Sequence, residues 1–216
     1  MQRRNISNEA GGRADGMMIV SIIFFATLAY IALTTSPVYT GVGVGDRAPE
    51  LQGEVWDGTT WTSFNLHDTF DENWEEDSGE GTWYMIEFMD TNCGACQSAA
   101  TKTFPEMQSK WLEPKGQNGR SVPANTTVEF LAVSIALHPD SWAYGPEEIK
   151  SFIVDYNQEF PFMDDHDNSN RDVWEIPGTP SYFLIAPNGI IQYASPEDTS
   201  QTVWDVMESK IPRGEA

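Results

Sequence analysis

The sequence has few cysteines, histidines and basic residues. Its 216 residues include only two cysteines and three histidines, and 12 Lys and Arg stand against 33 Asp and Glu. Two cysteines cannot build a disulfide-rich scaffold, so the core, with eight tryptophans and eleven phenylalanines available, must stabilise the fold. The net charge of −21 would repel a phosphate backbone, and we therefore expect no nucleic-acid partner.

The two cysteines, Cys93 and Cys96, are separated by only two residues. A structural zinc site takes four ligands, usually from two such pairs or from one pair and two closely spaced histidines. The histidines of this chain are scattered, at His67, His138 and His166. A disulfide that closes so short a loop would constrain the unfolded chain very little. The pair therefore favours redox chemistry over a zinc site or a static cross-link.

The segment 164–172, DDHDNSNRD, contains the oxygen atoms that a calcium loop would use. A loop of the EF-hand type needs a bidentate glutamate at its last position, where this chain has Ile176. We therefore expect a polar loop that caps a short helix.

An uncharged apolar segment, MMIVSIIFFATLAYIALTT, runs over residues 17–35. As a helix it would span about 28 Å, close to the ~30 Å hydrocarbon core of a bilayer. A cleaved signal peptide usually has a shorter apolar region, followed by a small-residue cleavage site that this chain lacks. Arg3, Arg4 and Arg13 precede the segment and favour a cytoplasmic N-terminus. We expect a single-pass protein of the cell membrane, with its C-terminal domain outside.

The chain then divides into a cytoplasmic N-terminus, an anchor, a tether, a folded domain and a tail, with boundaries at 1–16, 17–35, 36–45, 46–211 and 212–216. Within the domain, Asp57-Gly58 and Pro187-Asn188-Gly189 lie between apolar stretches and predict two hairpins. The acidic stretch 67–81, between the first hairpin and the first buried strand, predicts a solvated loop.

Buried strands and helices alternate between the two hairpins. The patterns predict strands at 83–89 and 127–137, a helix over 94–112 with a kink at Pro105, and a helix from Pro146 to Tyr156. A last helix through Met207 follows a cap at Thr199 or Ser200. This order predicts an α/β layer structure with a mixed sheet.

The cysteine pair lies at the junction of the first strand with its helix. At a helix N-terminus, unpaired N–H groups and the helix dipole favour a thiolate, so the pKa of Cys93 should fall. Cys96 lies one turn later on the same face, close enough to form a disulfide. Gly94 and Ala95 are small and leave the Cys93 sulfur accessible. Cys93 is therefore the expected nucleophile and Cys96 the resolving thiol.

Four motifs resemble the thioredoxin superfamily, and within it the membrane-anchored TlpA/ResA-like thiol–disulfide oxidoreductases. They are VGVGDRAPEL, DGTTWTSFNL, the strand WYMIEFMDTN that leads into CGAC, and IPGTPSYFLIAPNGIIQY. The resemblance covers roughly residues 44–207. It implies a thioredoxin-like α/β fold, with a central mixed sheet flanked by helices and an N-terminal β-hairpin extension, behind a single transmembrane helix.

The resemblance also implies roles for residues outside the cysteine pair. Pro180 would follow a cis peptide bond beside the cysteines, and the backbone of Thr179 would pair with a substrate strand. Glu87 would be a buried acid with a raised pKa that exchanges a proton with Cys96. The family usually has tryptophan before the first cysteine. Asn92 stands there, which implies a more polar and more exposed substrate-binding site.

The implied reaction uses no cofactor other than a redox-active disulfide between the two cysteines. Its implied partners are extracytoplasmic proteins with dithiols or disulfides, a membrane thiol-electron transporter, and the bilayer around residues 17–35. The absence of histidine between the cysteines favours a reductive direction. Two other functions stay open. A copper-delivery module would use His138 as a further ligand. A peroxiredoxin-like peroxidase needs a threonine or serine and a proline where this chain has Asp90 and Ile86.

Overall fold

The computed structural model describes residues 9–34, 38–112, 122–123, 125–195 and 200–213. The chain divides into two compact units, Met1–Val38 and Tyr39–Ala216. The first contains helix α1, Glu9–Thr34. Within the described ranges, no helix is both long and apolar enough to span a bilayer. The predicted anchor ends at Thr35, and Thr35 lies outside those ranges.

The second unit is built around a seven-stranded mixed sheet in the order β2-β1-β5-β4-β3-β6-β7. Strands β3, β4 and β5 are parallel, and the remaining neighbours are antiparallel. The strands are β1 Gln52–Trp56, β2 Trp61–Asn65, β3 Gly81–Met89, β4 Thr126–Ile135, β5 Phe162–Asp165, β6 Ser181–Ile185 and β7 Ile191–Ala194. The helices are α2 Gly94–Lys102, α3 Phe104–Trp111, α4 Pro146–Tyr156, α5 Ser169–Val173 and α6 Val203–Lys210, with short 3-10 helices at Leu66–Thr69 and Glu76–Ser78.

Two apolar layers cover the two faces of this sheet. Alternation along β3 separates them, since Met85 and Met89 belong to one layer, whereas Ile86 and Phe88 belong to the other. Helices α2, α3, α4 and α6 contribute to the first layer, and the β1–β2 hairpin contributes to the second through Val55. The alternation directs Glu87 toward the first layer, on the same side as helix α2.

The predicted α/β fold with a mixed sheet and both predicted hairpins are confirmed. In the first hairpin, the Asp57 carboxylate accepts hydrogen bonds from the backbone of Thr59 and Thr60, at 2.7 and 2.8 Å. Strand β5 was not predicted, because its four residues are too few to show a periodic pattern of apolar and polar side chains. It extends the parallel part of the sheet and joins β4 to the hairpin.

Two helix predictions were wrong in detail. The predicted kinked helix is two helices, α2 and α3, separated at Thr103, because Pro105 has no N–H to continue the helical hydrogen bonds. The last helix is capped at Thr202 rather than Ser200, through a reciprocal pair of hydrogen bonds with Asp205. The other predicted cap, Thr199, lies outside the described residues.

Part of the predicted tether forms backbone hydrogen bonds. The N–H of Gly45 donates to the carbonyl of Ile191 in β7, at 2.9 Å, and the N–H of Arg47, just after the tether, donates to the carbonyl of Tyr39, at 2.8 Å. Ser36 and Pro37, at the start of the tether, lie outside the described residues.

The polar segment 164–172 forms the predicted loop before a short helix, α5. The buried Asp165 carboxylate accepts hydrogen bonds from the Ser169 hydroxyl, the Asn170 backbone and the Arg171 backbone, at 3.1, 2.9 and 2.9 Å. Asn170 in turn exchanges two hydrogen bonds with the Gln52 backbone. Asp165 thus holds both α5 and the first strand of the hairpin.

We expect Asp165→Ala to lower the free energy of unfolding by about 2–4 kcal/mol, because several buried donors would lose their acceptor. Denaturant unfolding of the full chain measures the change. Asp172→Ala, which removes an exposed carboxylate from the same helix, is the matched control and should cost less than about 0.5 kcal/mol. Equal losses in the two variants would contradict this role of Asp165.

Candidate active site

The two cysteines lie where β3 passes into α2. Cys93 is the N-cap residue of α2, and its sulfur accepts a hydrogen bond from the Cys96 N–H at 3.5 Å. The Cys93 thiol also contacts the Thr179 carbonyl at 3.5 Å. Both cysteines are free thiols; Cys93 is partly exposed and Cys96 is buried. A partner could therefore reach the Cys93 sulfur, and only Cys93 could reach that of Cys96.

The surroundings of Cys93 favour its thiolate. Burial alone would raise the pKa of the Cys93 thiol. The Thr179 side chain and the N–H groups of Cys96 and Ala95 outweigh burial, so the pKa lies below its ordinary value. These N–H groups belong to the first turn of α2, where no helical acceptor is available to them. Because the sequence folds as a strand followed by a helix, Cys93 lies next to these unpaired N–H groups.

The surroundings of Cys96 favour its neutral thiol. Burial raises the pKa of Cys96, and negative charge on Glu87 raises it further. The pKa values of the two thiols are thus shifted in opposite directions, although the thiols lie one helical turn apart. Cys93 is suited to act as a nucleophile, whereas Cys96 would need a base to remove its proton.

Glu87 lies in the middle of β3 and is only 4% exposed. Its cross-strand neighbours are Ala132 on β4 and Tyr182 on β6. The Tyr182 hydroxyl donates a hydrogen bond to its carboxyl oxygen, at 3.2 Å. Burial raises the pKa of Glu87 to about 8, against the opposing effect of this hydrogen bond. Glu87 can therefore gain or lose a proton near neutral pH.

Thr179 and Pro180 lie just before β6, and Thr179 is next to Cys93. The peptide bond between them is cis. The Thr179 carbonyl faces the Cys93 thiol, and the Thr179 hydroxyl is buried. The structure therefore brings together residues from β3, α2 and the start of β6 that are far apart in sequence.

Asn92 belongs to a turn that a neighbouring loop supports. Its side-chain amide donates to the Ala143 carbonyl, at 3.3 Å, and its backbone donates to the Asp90 carboxylate, at 2.7 Å. The fully buried Asp90 also accepts hydrogen bonds from the Tyr144 hydroxyl and the Leu137 backbone, at 2.9 and 3.1 Å. This network ties the loop after β4 to the turn that carries Cys93.

Sequence reasoning missed the roles of Asp90 and Tyr182. An acidic residue directly after a buried strand is a turn-forming signal that could have identified Asp90. No feature of the neighbouring sequence distinguishes Tyr182 from an ordinary aromatic residue of a buried strand. In the loop after β4, the Tyr144 hydroxyl hydrogen-bonds Asp90, whereas the Trp142 side chain is 46% exposed.

The possible metal ligand His138 lies in the same loop, where its ring packs edge-on against Trp142 at 5.0 Å between centroids. In the parts of the chain that are described, no group of three or more His, Cys, Asp or Glu side chains is arranged to hold a metal ion.

We expect alkylation of the reduced protein to modify Cys93 alone, with a rate that rises through an inflection below the ordinary cysteine pKa of about 8.5. Mass spectrometry of timed samples gives both the site and the rate. In Cys93→Ser, the remaining thiol should react at least about tenfold more slowly at pH 8, because Cys96 is buried and neutral. Fast modification of Cys96 would contradict this assignment of the two thiols.

Comparison with known proteins gives relatives in both sequence and structure. No protein-family model matches the chain. The thiol–disulfide oxidoreductase ResA of Oceanobacillus iheyensis is 25% identical over 178 residues, which cover 82% of this chain and 74% of that protein. ResA of Bacillus subtilis is 25% identical over 171 residues, which cover 79% of this chain and 81% of that protein.

Solved structures show the same fold at lower identity. The thioredoxin domain of a thiol–disulfide oxidoreductase from Bacteroides vulgatus matches with a TM-score of 0.52 and 17% identity, over 78% of this chain and 96% of that one. A structure described as the thiol:disulfide interchange protein DsbE of Chlorobium tepidum gives a TM-score of 0.53 and 18% identity, over 80% and 100%. The chain therefore has a thioredoxin-like fold, and its sequence is similar to the thiol–disulfide oxidoreductase ResA of two organisms.

Proposed function

We propose that this protein exchanges disulfides with protein partners, with Cys93 as the nucleophile and Cys96 as the resolving thiol. One observation carries the proposal: a partly exposed thiol with a lowered pKa caps a helix above a second, buried thiol. Both cysteines are free thiols and the sequence contains no third cysteine, so the pair can cycle between dithiol and disulfide. That cycle needs no further cofactor.

In the first step, the Cys93 thiolate attacks one sulfur of a partner disulfide. A bond forms between Cys93 and that sulfur, the partner's S–S bond breaks, and the other partner sulfur leaves as a thiolate. The N–H groups at the start of α2 favour the attacking thiolate.

In the second step, the Cys96 sulfur attacks Cys93. The intramolecular disulfide forms, the mixed disulfide breaks, and the second partner sulfur leaves with the electron pair. The partner gains two electrons and the cysteine pair loses them. Because the pKa of Cys96 is raised, a base must take its proton, and Glu87 is the buried carboxyl whose charge acts on this thiol.

Partner binding would use the segment before β6. The Thr179 backbone faces Cys93, and the adjacent Pro180 has no N–H, so an extended partner segment could pair with Thr179 beside the reactive sulfur. Asn92 directly precedes Cys93, in the turn tied to the loop after β4. A cystine-containing segment that contacts Asn92 and Thr179 would meet the nucleophile.

The exchange would take place outside the cytoplasm, with residues 17–35 as a membrane anchor. The side chains of α1 from Gly16 to Ile31 are exposed and include no charged residue. Apolar residues predominate in this exposed stretch, which favours an apolar environment. The three preceding arginines favour a cytoplasmic N-terminus, and disulfide chemistry suits the outer side.

We expect Cys96→Ser in the full chain to trap partners as mixed disulfides, because the second step then lacks its attacking sulfur. Non-reducing electrophoresis of whole cells, followed by mass spectrometry of the reducible bands, identifies these partners. The adducts should resist alkaline extraction of the membranes and contain extracytoplasmic proteins. Cys93→Ser is the matched control and should trap none. Cytoplasmic partners would contradict the location, and an absence of adducts would contradict the exchange.

The proposed direction is reductive, with electrons supplied by a membrane thiol transporter. Equilibration of the full chain in thiol/disulfide buffers measures its reduction potential. We expect a value near the ~−270 mV of thioredoxin or lower. A value near the ~−120 mV of DsbA would reverse the direction. If no two-electron transition occurs, disulfide exchange is wrong, and a Cu(I) titration then tests the copper-binding alternative.

A further inference from the structure

We propose that Tyr182 is a positioning residue of the exchange reaction. Its hydroxyl orients the Glu87 carboxyl beneath the cysteine pair and favours the charged form, which can accept the proton of Cys96. The inference rests on the proposed exchange and adds to it a residue that sets the pH range of the second step.

The sheet register places the two side chains together. Glu87 on β3 and Tyr182 on β6 are direct cross-strand partners, so both project from the same face of the sheet. This face carries α2, because Cys93 and Tyr182 both pack against the first apolar layer, to which Cys96 belongs. The Tyr182 hydroxyl donates to the Glu87 carboxyl at 3.2 Å.

The tyrosine ring is itself held in place. It packs against Trp204 of α6, with ring centroids 6.1 Å apart, and Trp204 packs edge-on against Phe104, at 5.7 Å. A fixed ring presents its hydroxyl in one position, so the hydrogen bond selects one orientation of the carboxyl. Phenylalanine at this position would keep the ring packing and lose only the donor.

Within the described residues, few groups can act on Glu87. The titratable groups that face it are Cys93 and Cys96 from α2 and Tyr182 from β6. Its neighbour on β4, Ala132, does not titrate. No other hydrogen-bond donor to the carboxyl occurs in these residues, and no cation pairs with it. The Tyr182 hydroxyl is therefore the one group that offsets burial in favour of the carboxylate.

The hydroxyl remains a donor at every pH at which the protein would work. Burial raises the pKa of Tyr182, and the charge on Glu87 raises it further. Glu87 has a pKa of about 8, so a minor fraction is charged at pH 7. Without the hydroxyl, that fraction would fall, because burial would act alone.

The proton transfer accompanies the second step. As the Cys96 sulfur displaces the partner sulfur from Cys93, its proton passes to the Glu87 carboxylate, and the leaving sulfur keeps the electron pair of the broken bond. The rate below the pKa of Glu87 should therefore follow the fraction of charged Glu87.

An aromatic disulfide whose released thiolate absorbs visible light tests the inference in a single turnover of the full chain. Stopped-flow absorbance should show two thiolates, the first released by attack of Cys93 and the second by attack of Cys96. In Tyr182→Phe, we expect the pH inflection of the second release to rise by about one unit and its rate at pH 7 to fall about tenfold. The two proteins should converge above about pH 10, and the first release should change less than about twofold.

Two further variants separate positioning from packing. Tyr84→Phe removes a phenol hydroxyl from β3, the strand that carries Glu87. Because Tyr84 packs against the opposite apolar layer, this variant should leave both releases unchanged. In a Glu87→Gln background, adding Tyr182→Phe should have no further effect, because the hydroxyl acts through the carboxyl. Carboxyl NMR of the reduced protein should show the pKa of Glu87 raised in Tyr182→Phe.

The outcomes are distinct. A shifted inflection together with a raised pKa of Glu87 supports the inference. Two releases with the same pH dependence in wild type and Tyr182→Phe overturn the role of Tyr182 and leave the exchange intact. An equal slowing by Tyr182→Phe in the Glu87→Gln background shows a packing effect and also overturns it. If wild type releases no thiolate, the exchange reaction is wrong and the inference fails with it.

Discussion

Strand β3 pairs with β4 on one side and β6 on the other, and the candidate site depends on this pairing. The strand is nearly all buried, and its alternation directs Met85, Glu87 and Met89 to one apolar layer. Its last residue leads through a short turn into α2, so the position of the strand fixes the position of Cys93. Its pairing with β6 brings Thr179, Pro180 and Tyr182 to the same place.

Two opposing electrostatic environments meet across one helical turn. The N-terminus of α2 offers N–H groups to Cys93 and lowers the pKa of its thiol. Burial and the Glu87 carboxyl raise the pKa of Cys96. A single pair of cysteines thereby acquires two roles, because one sulfur faces both solvent and helix amides while the other faces the core. In the proposed exchange, the buried Glu87 carboxyl takes the proton of Cys96, which an apolar residue at the same place could not do.

The turn that carries Cys93 is supported from outside the cysteine motif. Asp90 is fully buried and accepts hydrogen bonds from the Asn92 backbone, the Leu137 backbone and the Tyr144 hydroxyl. The loop after β4 is thus joined to the turn before α2. This arrangement places an asparagine, rather than a large aromatic residue, beside the nucleophile, and it keeps exposed Trp142 close to the same turn.

The sequence by itself determined the local elements of this protein and the identity of the candidate redox pair. Apolar runs, turn residues and the spacing of Cys93 and Cys96 act within a few residues, and they predicted both hairpins, the strand–helix junction and an α/β structure with a mixed sheet. The thioredoxin-like fold was implied by the resemblance of four motifs to the thioredoxin superfamily. The sequence did not predict the helix break at Thr103 or the short strand β5, because helix breaks and four-residue strands leave little periodic signal.

Tertiary structure decided the environment of each site residue. Tyr182 lies 95 positions from Glu87, and Thr179 lies 86 positions from Cys93, and only the pairing of β3 with β6 brings them into contact. The loop of Tyr144 reaches Asp90 across 54 positions in the same way. Hydrogen bonds and burial act over a few ångströms, so the protonation of Glu87 and the difference between the two thiols are properties of the folded sheet.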